Sequence, residues 1–229
     1  MSDPGRVIRA IELALFIGAF AVAALVVSAV LWSGEGPYRD LARANRVTDM
    51  TFTTLAPAGG TYRTDLNGLV AMHGRWSTYE TGGASEAPRF DPPLFTDDEY
   101  AHMADVRRVF ELAKFAVPVA ILVIVIRLQR ARARGSRAMW ALVRDGTLGS
   151  AILIAAIGIV AAFAFEPLFL AFHYLFFPQG NFLFPATSNL IRLYPDWYWE
   201  GISLRVGGSV VLVALALAAV AHLRIRAAK

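Results

Sequence analysis

The chain has 229 residues, 56% of them apolar and 17% charged, a balance expected of one domain solvated partly by lipid. It contains no cysteine, which excludes disulfides, thiolate nucleophiles and cysteine-ligated metals or iron–sulfur clusters. The formal net charge of +4 raises nucleic acid as a partner, but the arginines behind it flank apolar runs, alternate with alanine and lack aromatic stacking partners, so they read as topology signals instead.

The first predicted element is a transmembrane helix over 10–32. Leu13 to Trp32 are twenty uncharged residues preceded by Arg6 and Arg9, longer than the apolar region of a secretory signal, so the helix is expected to stay uncleaved despite the triplet Val27-Ser28-Ala29. Residues 33–96 are predicted to form a small extracytoplasmic cap of mixed, irregular structure. From Ser33 to Arg108 there are eleven acids and eight bases. Strand-like runs fall at 50–55 and 75–79, Gly59-Gly60 marks a turn, and Thr81 to Pro93 reads as a Gly/Pro-rich loop.

Thr96-Asp97-Asp98-Glu99 has the form of a capping box, with acids at the positive end of the helix dipole. An interfacial helix is therefore expected to begin near Asp97 and continue unbroken into a second span, over 97–128. Residues 129–146 are predicted as a cytoplasmic loop carrying Arg130, Arg132, Arg134, Arg137 and Arg144 against Asp145. A third helix follows over 147–173, loosened at Pro167. An aromatic extracytoplasmic loop spans 174–201, a fourth helix spans 202–223, and the tail adds Arg224, Arg226 and Lys229. Each span is long enough to cross about 30 Å of hydrocarbon at about 1.5 Å per residue. The fold class is thus an all-α transmembrane four-helix bundle with a small mixed cap. The positive-inside rule puts both termini and the arginine-rich loop in the cytoplasm, where the same arginines attract anionic lipid headgroups. No internal repeat points to an inverted-repeat transporter.

That topology brings two histidines to the outer interface. His102 lies in the second turn of the interfacial helix with Asp105 three residues on, on the same face. His173 closes the third helix, within Phe172-His173-Tyr174-Leu175-Phe176-Phe177. Glu166 lies about two turns below His173, inside the membrane, where an ionisable group needs a partner; Arg192 and Arg205 are the candidates. The plainer reading is that histidines and aromatics at headgroup depth are amphipathic anchors. His73 in the cap reads as a core or surface residue, His222 as a snorkelling group on the opposite side, and Asp97, Asp98 and Glu99 as helix-starting charges.

At these segments the sequence resembles a known family. Glu99-Tyr100-Ala101-His102-Met103-Ala104-Asp105-Val106 is similar to the E-x-x-H-M-x-D-V signature of the bacterial lipoprotein intramolecular transacylase family. Phe172 to Phe177 resembles its F-H-x-x-F-F, and Leu190-Ile191-Arg192-Leu193-Tyr194-Pro195 its L-I-x-L-x-P. The chain departs from the family at Phe182, where tryptophan is usual, and at Ser188-Asn189, where an acid often precedes L-I.

The resemblance implies an acyltransferase of the bacterial plasma membrane whose partner is a diacylated lipoprotein among membrane lipids. The sn-2 acyl chain of the diacylglyceryl group moves to the α-amine of the N-terminal cysteine, giving a lyso-form lipoprotein, with no cofactor. His102 and His173 are the implied catalytic pair, one as base and one as oxyanion donor in interchangeable assignment. Asp105 orients or keeps charged His102, and Tyr100, Tyr174, Phe177, Phe182, Trp197 and Trp199 wall the site. Three rival readings stand beside it: a haem held between the two histidines, a metal-dependent hydrolase using His73 as well, and a non-enzymatic cap that binds a lipid or partner protein.

Overall fold

The computed structural model describes residues 4–57 and 59–227, so Lys229 lies outside them. Four helices are long and apolar enough to cross a membrane. They are α1 (Pro4–Trp32), α4 (Asp97–Ala133), α5 (Ser136–Phe163) and α8 (Asp196–Ala227). Between α1 and α4 lie α2 (Glu35–Ala44), β1 (Asp49–Thr53), β2 (Thr61–Asp65) and α3 (Leu66–Glu80); between α5 and α8 lie α6 (Phe165–Phe176) and the short α7 (Asn189–Leu193).

The chain divides into two compact units. The first gathers Met1–Ala29, Ala113–Phe163 and Arg205–Lys229, the apolar lengths of α1, α4, α5 and α8. Its outward side chains are large and apolar, Phe115, Leu122, Ile159 and Leu212 among them, as lipid rather than water requires. Little hydrophobic force joins helices in such a solvent, so close approach at small residues does the work. A Cβ on Gly146 would lie 2.2 Å from Phe16 Cδ1, and one on Gly149 2.6 Å from Ile17 Cδ1. Beside them Ser150 Oγ donates to the Ile17 carbonyl at 3.2 Å. Glu12, 2% exposed, accepts two hydrogen bonds from Arg134 at 3.0 and 2.6 Å, with Arg130 at 3.5 Å.

The second unit, Val30–Leu112 with Ala164–Leu204, is organised around an aromatic core that includes Tyr38, Phe52, Trp76, Phe95, Tyr194 and Tyr198. β1 and β2 form an antiparallel hairpin, Asp49 opposite Asp65 and Thr53 opposite Thr61, turning at Gly59 and Gly60 with φ of 67° and 126°. The Asp65 carboxylate caps α3 by accepting from Gly68 N–H at 2.9 Å. Asn189 closes the outer edge of β1: its Oδ1 accepts from Thr53 N–H at 3.0 Å and its Nδ2 donates to the Thr53 carbonyl at 2.7 Å.

Four sequence expectations need correcting. The run 75–79 lies in α3, where Leu69, Val70, Met72, His73, Trp76 and Ser77 are buried at helical spacing. The arginine-rich loop of 129–146 shrinks to Arg134 and Gly135, because alanine and arginine favour helix and extend α4 and α5 toward each other. The aromatic loop of 174–201 contains the end of α6, all of α7 and the start of α8. The third span is broken at Ala164 (φ −146°, ψ 52°) instead of merely loosened. Pro167 has no N–H and its ring collides with the carbonyl four residues back, so it is accommodated only in the first turn of a new helix.

Candidate active site

The capping box forms as its sequence suggests. Thr96 Oγ1 accepts from Glu99 N–H at 3.2 Å, and Glu99 Oε2 accepts from Thr96 N–H at 2.7 Å. Glu99 does more than start the helix. Its Oε1 also accepts from Leu190 N–H at 3.0 Å and from the Ser188 hydroxyl, which caps α7. One turn further, on the same buried side, stands His102, 7% exposed.

α6 supplies the second imidazole. Phe169 packs tilted against His173 at 4.0 Å between ring centres, and the Phe169 carbonyl accepts from His173 Nδ1 at 2.8 Å. A helix carbonyl can only accept, so Nδ1 carries the proton in the neutral ring and Nε2 presents a lone pair. The rings of His102 and His173 lie 6.2 Å apart between centres and within 22° of parallel. That spacing lies within the range of offset-stacked ring pairs. Phe177, 2% exposed, packs on both, at 4.9 Å from His102 and 5.5 Å from His173. Phe184 stands edge-on to His102 at 5.6 Å, and Phe182 lies 5.1 Å from His173. His102 Nδ1 is buried and has no hydrogen-bond partner among the described residues. In native proteins such an atom is completed by water, an ion or a ligand, or serves a catalytic task.

The remaining candidates are distributed unevenly. Asp105 directs its carboxylate to Arg108 (2.6 Å), Gln179 (2.8 Å) and Asn181 (2.6 Å), so its short side chain is occupied by the loop after α6 and not by the His102 ring. Tyr174 is half exposed and stands edge-on to Phe182 at 5.0 Å. Tyr100 turns the other way. It packs on Trp76 and Phe95, donates to the Pro88 carbonyl at 2.8 Å, and lines a separate hollow of about 430 Å³ with Arg89, Phe90 and Pro93. Trp199 reaches Phe169 at 5.4 Å, whereas Trp197 packs on Tyr38.

Glu166 lies exposed in the first turn of α6, where the helix dipole favours an anion. Arg192 is not beside it. It donates to the Thr51 carbonyl at 3.1 Å and to Thr53 Oγ1 at 3.2 Å, because α7 crosses a strand edge whose carbonyls lack a neighbouring strand. His73 is also committed: Nδ1 meets the Tyr194 hydroxyl at 3.3 Å and Nε2 the Ser33 carbonyl at 2.8 Å, which removes it from a metal site shared with the other histidines. The sequence reading missed Phe169, Phe184 and the loop amides. Only Phe169 left a signal, one turn before His173 on the same helix face.

Comparison with known proteins agrees with this geometry. The search of solved structures finds an in meso structure of the membrane integral lipoprotein intramolecular transacylase Lit from Bacillus cereus, 12% identical, covering 97% of each chain with a TM-score of 0.71. Two structures of histidine-substituted forms of that protein, also 12% identical, each have a TM-score of 0.68 over 97% of this chain and 93% or 95% of theirs. At that identity the likeness establishes the fold alone. No curated protein sequence matches the chain. The family model described as lipoprotein intramolecular transacylase Lit matches residues 77–199, which is 123 of 229 residues. Because that match takes in the His102 helix, α6 and the connection to α8, over more than half of the sequence, this multi-pass membrane chain belongs to the lipoprotein intramolecular transacylase family of acyltransferases.

Proposed function

We propose that this chain moves the sn-2 acyl group of a diacylglyceryl lipoprotein to the α-amine of its N-terminal cysteine, using His173 as base and His102 as oxyanion donor. The observation that carries this reading is the imidazole pair, 6.2 Å apart and walled by phenylalanines. An ester carbonyl bound against the pair would be within reach of both rings. His173 Nε2, its lone pair left free by the Nδ1 bond to Phe169, takes a proton from the attacking amine. The new C–N bond leaves a tetrahedral oxyanion, for which the unsatisfied Nδ1 of His102 is a donor when protonated. Collapse breaks the ester C–O bond, and His173 returns its proton to the departing glyceryl oxygen. The products are an amide and a free hydroxyl, so no further reactant is consumed.

The attacking nitrogen reaches the carbonyl through a ring of roughly eight atoms, which closes poorly unaided, and holding its two ends together supplies much of the rate. Apolar walls also suppress hydrolysis, the competing fate of the ester. The site is placed at the outer interface of the bacterial plasma membrane, with both termini in the cytoplasm. The acyl chains then stay in the outer leaflet while the peptide leaves toward the cap.

The test is expression in a bacterium without this activity, followed by mass spectrometry of a lipoprotein's N-terminal peptide. The wild-type chain should yield the N-acylated lyso form. His102→Ala and His173→Ala should each lower its yield by about 100-fold or more, the scale of positioned acid–base catalysis. Acyl migration that persists in both variants would remove the histidine mechanism. Absence of the lyso form with the wild-type chain would remove the function itself.

A further inference from the structure

The loop from Phe177 to Ser188 carries Phe177, Phe182 and Phe184, the rings that border the two imidazoles. It is tied at both ends to α4. At its far end Glu99 Oε1 accepts from the Ser188 hydroxyl and Leu190 N–H. Near its start, Asp105 Oδ2 accepts from the Gln179 and Asn181 amides, and Gln179 also donates to Asn181 Oδ1 at 3.1 Å. Glu99 and Asp105 stand three residues before and three after His102, so one helix face presents the histidine between two carboxylates gripping the same loop.

The two ties differ in kind. Glu99 is 3% exposed and its Oε1 holds a buried backbone N–H, while its Oε2 accepts from Thr96 N–H at its own helix start. Breaking that tie strands buried polar groups. Asp105 holds the loop only through side-chain amides, on a partly exposed turn where Gly180 N–H donates to the Phe177 carbonyl at 3.0 Å and Gly180 has φ of +77°. Water replaces those partners at little cost when the turn lifts.

We propose that Glu99 and Asp105 are positioning residues that strap the 177–188 loop over the imidazole pair, Glu99 as its fixed anchor and Asp105 as a releasable latch that keeps water from the ester. The inference rests on the transacylase reading for its consequence but not for its geometry. Under it, Asp105 acts through hydrogen-bond acceptance, not through its charge. An asparagine carbonyl oxygen at this position accepts from the same two amides, and Arg108, 75% exposed at its side chain, turns to solvent.

Two measurements test this on the full-length protein in membranes. Hydrogen exchange over 177–188 needs no turnover; it should rise in Asp105→Ala and in the double variant Gln179→Ala/Asn181→Ala, and stay near wild type in Asp105→Asn. The second is the ratio of N-acylated lipoprotein to released fatty acid, the latter formed when water attacks the ester carbonyl and the glyceryl oxygen leaves. Asp105→Ala and the double variant should lose about tenfold in that ratio, the scale of one or two hydrogen bonds to a carboxylate, while Asp105→Asn stays within about threefold. If Asp105→Asn is as impaired as Asp105→Ala, or the double variant matches wild type in exchange and ratio, the latch is wrong and the carboxylate acts by charge on His102. The double variant leaves α4 intact but also removes the Asn181 contact to His102, so loop exchange, which needs no turnover, decides the matter even if Asp105→Ala does not fold. Altered exchange in a wild-type background that makes no lyso form would leave the straps standing and remove only the transacylase reading.

Discussion

At the residue scale, the most tightly enclosed histidine lies outside the proposed catalytic pair. His73 is 2% exposed, stacked 4.4 Å above Tyr38 with 13° between planes, and both ring nitrogens are engaged by Tyr194 and Ser33. The Ser33 carbonyl must accept, so Nε2 carries the proton and Nδ1 accepts from the tyrosine hydroxyl. Burial away from solvent pushes its pKa down to about 4, since the charged ring loses hydration that the two backbone carbonyls nearby only partly replace. In the unfolded chain the same ring titrates near about 6.5. Between those values the unfolded state binds the extra proton, so the stability His73 contributes is complete above about pH 6.5 and is lost as pH falls toward 4. Glu80, whose carboxyl is pushed up to about 7 by burial, titrates with the opposite sign, favouring the folded state on the acid side. The two are separated by difference. His73→Phe keeps the stacking but strands the Tyr194 hydroxyl and Ser33 carbonyl, and should cost about 1–3 kcal/mol at pH 7.5. The gap between variant and wild-type melting temperatures should narrow steadily from pH 6.5 to 4.5. A gap that stays constant with pH would show that folding leaves the His73 pKa where it is in the unfolded chain.

At the scale of elements, the break between α5 and α6 decides how His173 is presented. In an unbroken helix each residue turns the chain by about 100°, so the direction of His173 would be fixed by α5. The break at Ala164 frees α6 to set its own course, with Glu166 and Pro167 in its first turn. Pro167→Ala supplies the N–H that a continuous helix would direct to the Phe163 carbonyl and removes the ring that blocks it. The expected outcome is a protein at least as heat-stable as wild type whose yield of N-acylated lipoprotein falls about tenfold or more, because a misdirected catalytic group costs rate without costing stability. Melting temperature and peptide mass spectrometry check the two halves separately. Pro167 was visible in the sequence, yet the spot where the chain would yield to it was not: the clash arises four residues upstream, and Ala164 carries no mark of its own. The helix α3 failed for the opposite reason. Its buried residues were legible at helical spacing, but an aromatic composition around Trp76 and Tyr79 suggested strand. The strand β2, Thr61 to Asp65, carries the strand-favouring Thr61, Tyr62 and Thr64, but Arg63 and Asp65 interrupt them in a run only five residues long, too short to stand out in the sequence.

Across the whole molecule, legibility follows range along the chain. Four spans, the capping box and the two histidines depend on composition, adjacent residues or short motifs, and all are readable before folding. The straps join residues 74 to 91 positions apart, and no local pattern pairs Asp105 with Gln179 or Glu99 with Leu190. The expected orientation is likewise drawn from the sequence, as charge counted over short connections. Arg127, Arg130, Arg132, Arg134, Arg137 and Arg144 cluster where α4 passes into α5, and Arg224 and Arg226 close α8 at the corresponding end. The connection from α6 to α8 carries Arg192 alone and adds Asp196. Alkaline phosphatase, which is active only after export, should therefore be inactive when fused after Arg226 and active when inserted at the exposed Gly82-Gly83 turn of the cap. The reverse pattern would put the histidine pair on the cytoplasmic side, where a lipoprotein whose diacylglyceryl cysteine faces outward has no access to it. The histidine chemistry would survive that result, but its substrate would have to be a cytoplasmic-leaflet ester.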